Sequence, residues 1–108
     1  MNNTTSTEML KRFEEITTEM LEVAKKKNND YSWELAFWNF DLVSVVRKWR
    51  TTAEEWFIVR LCDKIWRIAN LIDWEAKVTS ESISDSLLDM ANYCLLMKIY
   101  IETKDSSQ

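Results

Sequence analysis

The amino-acid sequence contains neither glycine nor proline in its 108 residues. β-Hairpins and tight irregular turns depend on these two residue types, because glycine accepts positive φ and proline fixes φ. Long helices need neither of them. We therefore expect an all-α fold. The same absence excludes the glycine-rich loops that hold phosphates in Walker-type and dinucleotide-binding sites.

The length and composition fit one small globular domain. Apolar residues make up 46% of the chain and charged residues 30%, a balance that allows a hydrophobic core. We expect a single helical domain over residues 8–103, with flexible termini at 1–7 and 104–108.

Charge and residue content exclude several classes of function. The net charge is −4 and no basic run is longer than Lys25–Lys27, so duplex nucleic acid is not expected as a partner. There is no apolar run of about 18 residues and no secretory signal at 1–7, which predicts a soluble cytoplasmic protein without membrane contact. The chain has no histidine, which excludes Ser–His and Cys–His catalysis within it. Cys62 and Cys94 fall within apolar helical faces, which predicts reduced core thiols.

The first half of the chain predicts two helices. The first has Thr7 as its N-cap and ends at the polar run 28–30. Its apolar stripe is Met9, Phe13, Ile16, Met20 and Val23. The second runs from about Trp33 to Arg50, with Ser32 as its cap, and is apolar on two sides. Its broad side consists of Leu35, Trp38, Leu42, Val45, Val46 and Trp49, and its other side of Trp33, Phe37 and Phe40. We expect burial on both sides, against another helix or a second subunit.

The second half predicts two longer helices. The third runs from about Ala53 to Trp74 and begins with a capping box in which Thr52 precedes Glu55. Its predicted core stripe is Phe57, Leu61, Ile65, Ile68 and Ile72. The fourth runs from about Glu81 to Glu102, capped by Ser80. Its predicted core stripe is Ile83, Leu87, Met90, Cys94, Met97 and Ile101. Four helices with short connections predict a compact, up-and-down four-helix bundle.

Six tryptophans are a large number for a chain of this size. Aromatic side chains most often supply core or interface area, although some stack on bases. Not all six fit inside one small monomer, so we expect a homo-oligomer whose symmetric interface covers the excess apolar surface.

The fourth helix carries a row of acidic and amide side chains, Glu81, Asp85, Asp89 and Asn92, within a narrow arc. Carboxylates and amide oxygens are the ligands that Mg²⁺ prefers, often together with a substrate phosphate. The row therefore makes a candidate magnesium site, to which Asp63 of the third helix is added. The alternative is that the row is simply the hydrated side of an amphipathic helix.

A second row lies on the third helix and is mainly basic. It consists of Arg60, Asp63, Arg67 and Asn70, with Lys64 at its edge. Arginine forks suit phosphate or carboxylate recognition. The alternative is a solvated face with weak internal salt bridges. If the two rows face each other, Arg60 and Arg67 can offset Asp85 and Asp89. Asp30 and Tyr31, at the junction of the first two helices, project toward the cleft at the end of the bundle in this interpretation. The alternative is that Asp30 simply favours a turn.

Three segments together resemble a known family. They are Lys-Asn-Asn-Asp-Tyr at 27–31, Arg-Leu-Cys-Asp-Lys-Ile-Trp-Arg-Ile-Ala-Asn-Leu at 60–71 and Glu-Ser-Ile-Ser-Asp-Ser-Leu-Leu-Asp-Met-Ala-Asn-Tyr at 81–93. Over residues 8–101 the chain resembles the nucleotide modification associated domain family, short all-α proteins of bacteriophages and prophages. The resemblance implies action on nucleotides or modified bases. The acidic helix is also similar to that of the MazG-like nucleotide pyrophosphatases, which are helical dimers that hold Mg²⁺.

These observations lead to three hypotheses. The first is a phage-type protein that binds a nucleotide, such as a deoxynucleotide or a cyclic-nucleotide signal of host defence, between the third and fourth helices. Its phosphate- and base-contacting residues are Asp30, Tyr31, Arg60, Lys64, Arg67, Asn70, Asn92 and Tyr93, and its metal-binding residues are Asp63, Glu81, Asp85 and Asp89. The second hypothesis is a Mg²⁺-dependent nucleotide diphosphohydrolase. The third is a tryptophan-rich protein that binds a host protein.

Overall fold

The computed structural model describes residues 1–31, 36–73 and 79–104, apart from the side chains of 28–31, Asn39 and 79–81. The described residues form four helices and no strand. These are α1 (Ser6–Tyr31), α2 (Trp38–Val46), α3 (Ala53–Ile72) and α4 (Thr79–Lys104). The prediction of an all-α fold is therefore confirmed. The chain divides into two compact units, Met1–Ala36 and Phe37–Gln108, and the prediction of one domain over 8–103 stays a prediction.

Helix α1 begins with a capping box two residues earlier than the sequence pattern indicates. The Glu8 amide donates to the Thr5 hydroxyl at 3.2 Å, and the Thr5 amide donates to the Glu8 carboxylate at 3.3 Å. The predicted cap at Thr7 is thus wrong, because Thr5 has a glutamate three residues later and Thr7 does not. On the apolar stripe, Met9 and Phe13 are exposed.

The predicted break at residues 28–30 is also wrong, since the backbone of α1 stays helical to Tyr31. Asparagine and aspartate cost only about 0.7 kcal/mol each in a helix relative to alanine. No glycine or proline stands nearby to end the helix. The predicted cap of the second helix, Ser32, and its first residue, Trp33, lie outside the described residues.

Helix α2 is much shorter than predicted, because a Schellman motif ends it. The Trp49 amide donates to the Ser44 carbonyl at 2.7 Å, and the Lys48 amide donates to the Val45 carbonyl at 3.1 Å. This motif needs a left-handed residue, and Lys48 has φ 54°. Trp49 follows with φ 65°. In a chain without glycine, two side-chain-bearing residues occupy the left-handed region, at a cost of about 1 kcal/mol each.

We expect Lys48→Gly to stabilise the protein by about 1 kcal/mol, because glycine accepts the left-handed conformation without a Cβ clash. Urea denaturation measures the change in the free energy of unfolding. Lys48→Ala is the matched control, since it removes the same charge but keeps Cβ, and we expect no gain from it. An equal gain from both variants would show that charge, and not the backbone, is the cause.

Helices α3 and α4 run antiparallel. Glu54 near the start of α3 pairs with Lys104 at the end of α4 at 3.1 Å, whereas Lys64 further along α3 pairs with Asp89 earlier in α4. The predicted start of α3 is confirmed, because the Thr52 hydroxyl accepts from the Glu55 amide at 3.1 Å. Helix α3 ends at Ile72, and Trp74 lies outside the described residues.

The start of α4 differs from the prediction. Helix α4 begins at Thr79, so Ser80 is a helical residue and not the cap. Helix α4 therefore begins two residues before the predicted start at Glu81. It also continues past the predicted end at Glu102 to Lys104.

The core of the second unit is small and aromatic. Phe57 of α3 is fully buried and stacks on Phe40 of α2, with ring centroids 4.3 Å apart. Tyr100 of α4 lies beside both Phe57 and Phe37, at 5.9 and 5.3 Å. Helix α2 thus packs where α3 begins and α4 ends. It uses the narrower of its two predicted apolar sides.

Much of what the periodicity predicts as core is exposed. On the α3 stripe, Ile65 and Ile72 are exposed, and so is Leu87 on α4. Cys62 and Cys94 are free thiols as predicted, but both are exposed, so their prediction as core residues is wrong. Periodicity identifies an apolar face but does not say whether the same chain covers it. Among the described residues, no helix combines the length and hydropathy that a membrane crossing requires.

Candidate functional site

The two predicted polar rows lie on one side of the α3–α4 pair. An α-helix turns about 100° per residue. Viewed along its own helix from the N-terminus, each polar row is rotated in the same direction from the residues that face the partner helix. Because the helices are antiparallel, equal displacement places both rows on the same side of the pair. We call this side the polar face. It comprises Arg60, Asp63, Lys64, Arg67 and Asn70 of α3 with Asp85, Asp89, Asn92 and Tyr93 of α4.

Arg60 is held by Tyr93 across the two helices. Its Nε and Nη2 atoms donate to the Tyr93 hydroxyl at 3.3 and 3.1 Å, and its Cζ lies 5.4 Å from the centre of the tyrosine ring. The hydrogen bonds that Arg60 donates to Tyr93 raise the pKa of Arg60 above its usual value, and the charges of Asp63 and Asp89 add to this effect. Nη1 lies 3.9 Å from the Asp63 carboxylate. The guanidinium is therefore fixed in position and permanently cationic.

Lys64 and Asp89 form the second link between the rows, with 3.0 Å between Nζ and Oδ2. The lysine side chain is only 16% exposed, whereas the aspartate is 52% exposed. Sequence spacing favoured arginine as the partner of this acid. The structure assigns the role to lysine instead, because Lys64 lies at the helix contact line.

Arg67 and Asp85 are exposed and lie further along the face. Among the described side chains, neither forms an ion pair or a hydrogen bond, so the predicted neutralisation of Asp85 by arginine is not observed there. Asn70 is exposed and donates to the Trp66 carbonyl of its own helix at 3.0 Å. Asn92 is half-buried on α4. Arg67 is thus a cation that the described part of the chain leaves available.

Three predicted site residues have side chains outside the described set. Asp30 and Tyr31 belong to the backbone of α1, and Glu81 belongs to the backbone of α4. Asp30 and Tyr31 also lie in the first of the two compact units.

The described acids do not fit a metal ion held by the protein alone. Among the described residues, no three acidic or cysteine side chains converge as a metal site requires. Asp89 lies against the Lys64 ammonium, which competes with any cation for its oxygens. Magnesium binding by Asp63, Asp85 and Asp89 therefore stays a prediction without geometric support.

Sequence reasoning missed a second polar link between elements. The Tyr100 hydroxyl donates to the Asp41 carboxylate at 2.7 Å, joining α4 to α2. Burial raises the pKa of Tyr100, and its hydrogen bond to Asp41 adds to the effect. These residues are 59 positions apart and share no local pattern, so nothing in the sequence indicates the pair.

No protein-family model, no curated protein and no solved structure matches this chain. Its similarity to the nucleotide modification associated domain family therefore stays a prediction from three motifs.

Proposed function

We propose that the polar face binds the phosphate groups of a nucleotide or a nucleotide-derived ligand. The observation that carries this proposal is the Arg60 guanidinium, which Tyr93 holds at 3.1 Å on a face shared by both helices. Fixing a cation before the ligand arrives lowers the entropy cost of binding. Charge-assisted hydrogen bonds to phosphate are about twice as strong as neutral ones.

The three cations of α3 have a suitable spacing. Arg60 and Arg67 are seven residues apart, a rise of about 10 Å, and Lys64 stands between them. Successive phosphates can contact successive cations along such a row. Lys64 already pairs with Asp89, so the phosphate contacts fall mainly to Arg60 and Arg67. Asn92 and Tyr93 lie beside the row, where they can contact sugar or base.

We expect Arg67→Gln to weaken nucleotide binding at least tenfold without changing thermal stability. Arg67 supplies a phosphate contact, while no described side chain depends on it for an ion pair. Isothermal titration with a deoxynucleoside monophosphate, a deoxynucleoside triphosphate and a cyclic dinucleotide, each with and without Mg²⁺, measures the change. Arg47→Gln is the matched control, because Arg47 is an exposed cation near the end of α2.

Two outcomes would contradict the proposal. One is a wild-type protein that binds no member of the panel at millimolar concentration. The other is an equal loss of affinity in Arg67→Gln and Arg47→Gln, which would indicate only nonspecific attraction to positive charge. The arms with and without Mg²⁺ report whether a metal enters with the ligand.

We place binding ahead of hydrolysis, because the Lys64 ammonium lies 3.0 Å from the Asp89 carboxylate and competes with a metal ion for its oxygens. The diphosphohydrolase hypothesis predicts release of phosphate or pyrophosphate that Asp89→Asn abolishes. We also keep as proposals that the protein acts in the cytoplasm of a phage-infected bacterium, that its helices follow an up-and-down order and that it forms a homo-oligomer.

A further inference from the structure

The α3–α4 pair has a second long face, opposite the polar face and wholly different in character. On α3 this face consists of five apolar residues at alternating spacings of three and four, namely Ile58, Leu61, Ile65, Ile68 and Ile72. On α4 it consists of the six-residue stripe from Ile83 to Ile101 given above, with the same alternation. Such heptad spacing is typical of helices that pack along their length against other helices. We call these two rows together the apolar face.

The two rows belong to one surface. On each helix, the apolar row is rotated by about 70–90° from the residues that face the partner helix, at 100° per residue. The direction of this rotation is opposite to that of the polar row. Because the helices are antiparallel, the rows lie side by side on the same side of the pair. An angle near 90° places each row directly beneath its own helix, as in a square bundle of four helices. If a single helix lay in the groove between α3 and α4, the two apolar rows would have to turn toward each other. Each row would then lie at a smaller angle from the residues that face the partner helix.

The described residues of the second unit leave this face open. Ile65 is 54% exposed and Leu87 52% exposed. Phe40 of α2 stacks on Phe57, and Phe37, which precedes α2, contacts Tyr100, so these rings do not cover the apolar face. Within the second unit, the described side chains therefore bury this face only in part.

The chemistry of the face favours an apolar partner of matching width. The charged residues of α3 between Ile58 and Ile72 all point toward the polar side, and so do Asp85 and Asp89 of α4. Lys98 stands at the rim, where it pairs with Glu102. The row on α3 is about 20 Å long, and two adjacent helices are about 20 Å wide. This footprint of about 400 Å² lies within the roughly 300–600 Å² of the largest apolar patch on a typical monomer, and such patches are often functional.

We propose that the apolar face pairs with the same face of a second copy of this chain, so that two α3–α4 pairs form a four-helix interface. A second copy supplies a surface of the same length, width and apolar character, which a two-fold axis makes self-complementary. A footprint of about 400 Å² per copy lies in the range of small interfaces, in which each partner buries less than about 600 Å², so we expect a dimer that dissociates on dilution. This proposal is independent of nucleotide binding, because it uses the opposite side of the helix pair.

The first test is the mass of the full chain by analytical ultracentrifugation over a range of concentrations. We expect twice the chain mass of 12.9 kDa for the wild type. Ile65→Glu is expected to weaken the dimer at least a hundredfold, because it places a carboxylate within the paired faces. Val59→Glu is the matched control, since Val59 is 45% exposed on the same helix but points away from the face. Circular dichroism checks that both variants keep their helices.

A second measurement uses Cys94, an exposed thiol within the α4 row. In a Cys62→Ser background, we expect thiol labelling of Cys94 to slow at least tenfold as protein concentration rises through the dimer range. Ile65→Glu is expected to restore fast labelling at every concentration. A monomeric mass at all concentrations overturns the proposal, whether or not Cys94 is protected. A dimer that Ile65→Glu leaves intact also overturns it, because the interface then lies elsewhere.

Discussion

Replacing Phe57 by alanine is expected to lower the free energy of unfolding of the second unit by about 3–5 kcal/mol. Phe57 is the largest side chain that the described residues bury completely, and its ring stacks on Phe40 at 4.3 Å. Removing it takes away apolar burial and leaves a cavity between α2, α3 and α4. Since small domains are stable by only about 5–15 kcal/mol, such a loss approaches complete unfolding.

The measurement is urea denaturation followed by tryptophan fluorescence. Five of the six tryptophans follow Phe37 in the sequence, so the signal reports mainly on the second unit. Trp66→Ala is the control, because it removes a larger aromatic side chain that is 72% exposed on the same helix. We expect a change below about 0.5 kcal/mol for it. Equal effects of the two substitutions would contradict the assignment of Phe57 as the centre of the core.

The second large effect is expected at Tyr100. Tyr100→Phe removes the hydrogen bond to Asp41 at 2.7 Å and is expected to cost about 1.5 kcal/mol at neutral pH. The loss concerns the packing of α2, because this bond joins α2 to α4. Urea denaturation measures it, and Asp41→Asn serves as the control that keeps an acceptor while removing the charge. An unchanged stability in Tyr100→Phe would mean that water replaces the bond at no cost.

The same tyrosine makes stability depend on alkaline pH. Burial, the hydrogen bond to Asp41 and the charges of Asp41 and Glu54 raise the pKa of Tyr100 in the folded chain. The folded state therefore keeps this proton at a pH where the unfolded state releases it. The stabilisation is fully present below the unfolded pKa of about 10 and is lost as pH rises above it.

We therefore expect the stability difference between wild type and Tyr100→Phe to shrink as pH rises above about 10. Denaturation curves from pH 8 to 11 measure this difference. Comparing the two proteins cancels the other groups that titrate in this range. A difference that stays constant over the range would rule out Tyr100 as the source.

Local sequence signals predicted the end of a helix where a capping motif was recognised. The capping box at Thr52 located the start of α3, because its hydrogen bond forms within one turn. The same capping-box pattern marks the start of α1 at Thr5, two residues before the predicted cap at Thr7. The end of α2 was missed because a Schellman motif normally shows itself by glycine, and here Lys48 takes that position.

Spacing along each helix also predicted the candidate site in part. It grouped Arg60 with Lys64 and Arg67, and Asp85 with Asp89, because residues three and four apart share a helix face. It did not predict which residues meet across the pair. Arg60 contacts Tyr93 and Lys64 contacts Asp89, and these partners depend on the relative position of two helices that local spacing does not encode.

The sequence by itself determined that this chain is helical and where its apolar and charged faces lie. These properties follow from residue type and from the helical repeat of 3.6 residues per turn, so they do not depend on contacts between helices. Only the tertiary structure decided which faces are covered. It buried Phe57 and left Ile65 exposed, although both belong to the same predicted stripe. The physical reason is that burial requires a second surface, and only the packing of elements supplies one.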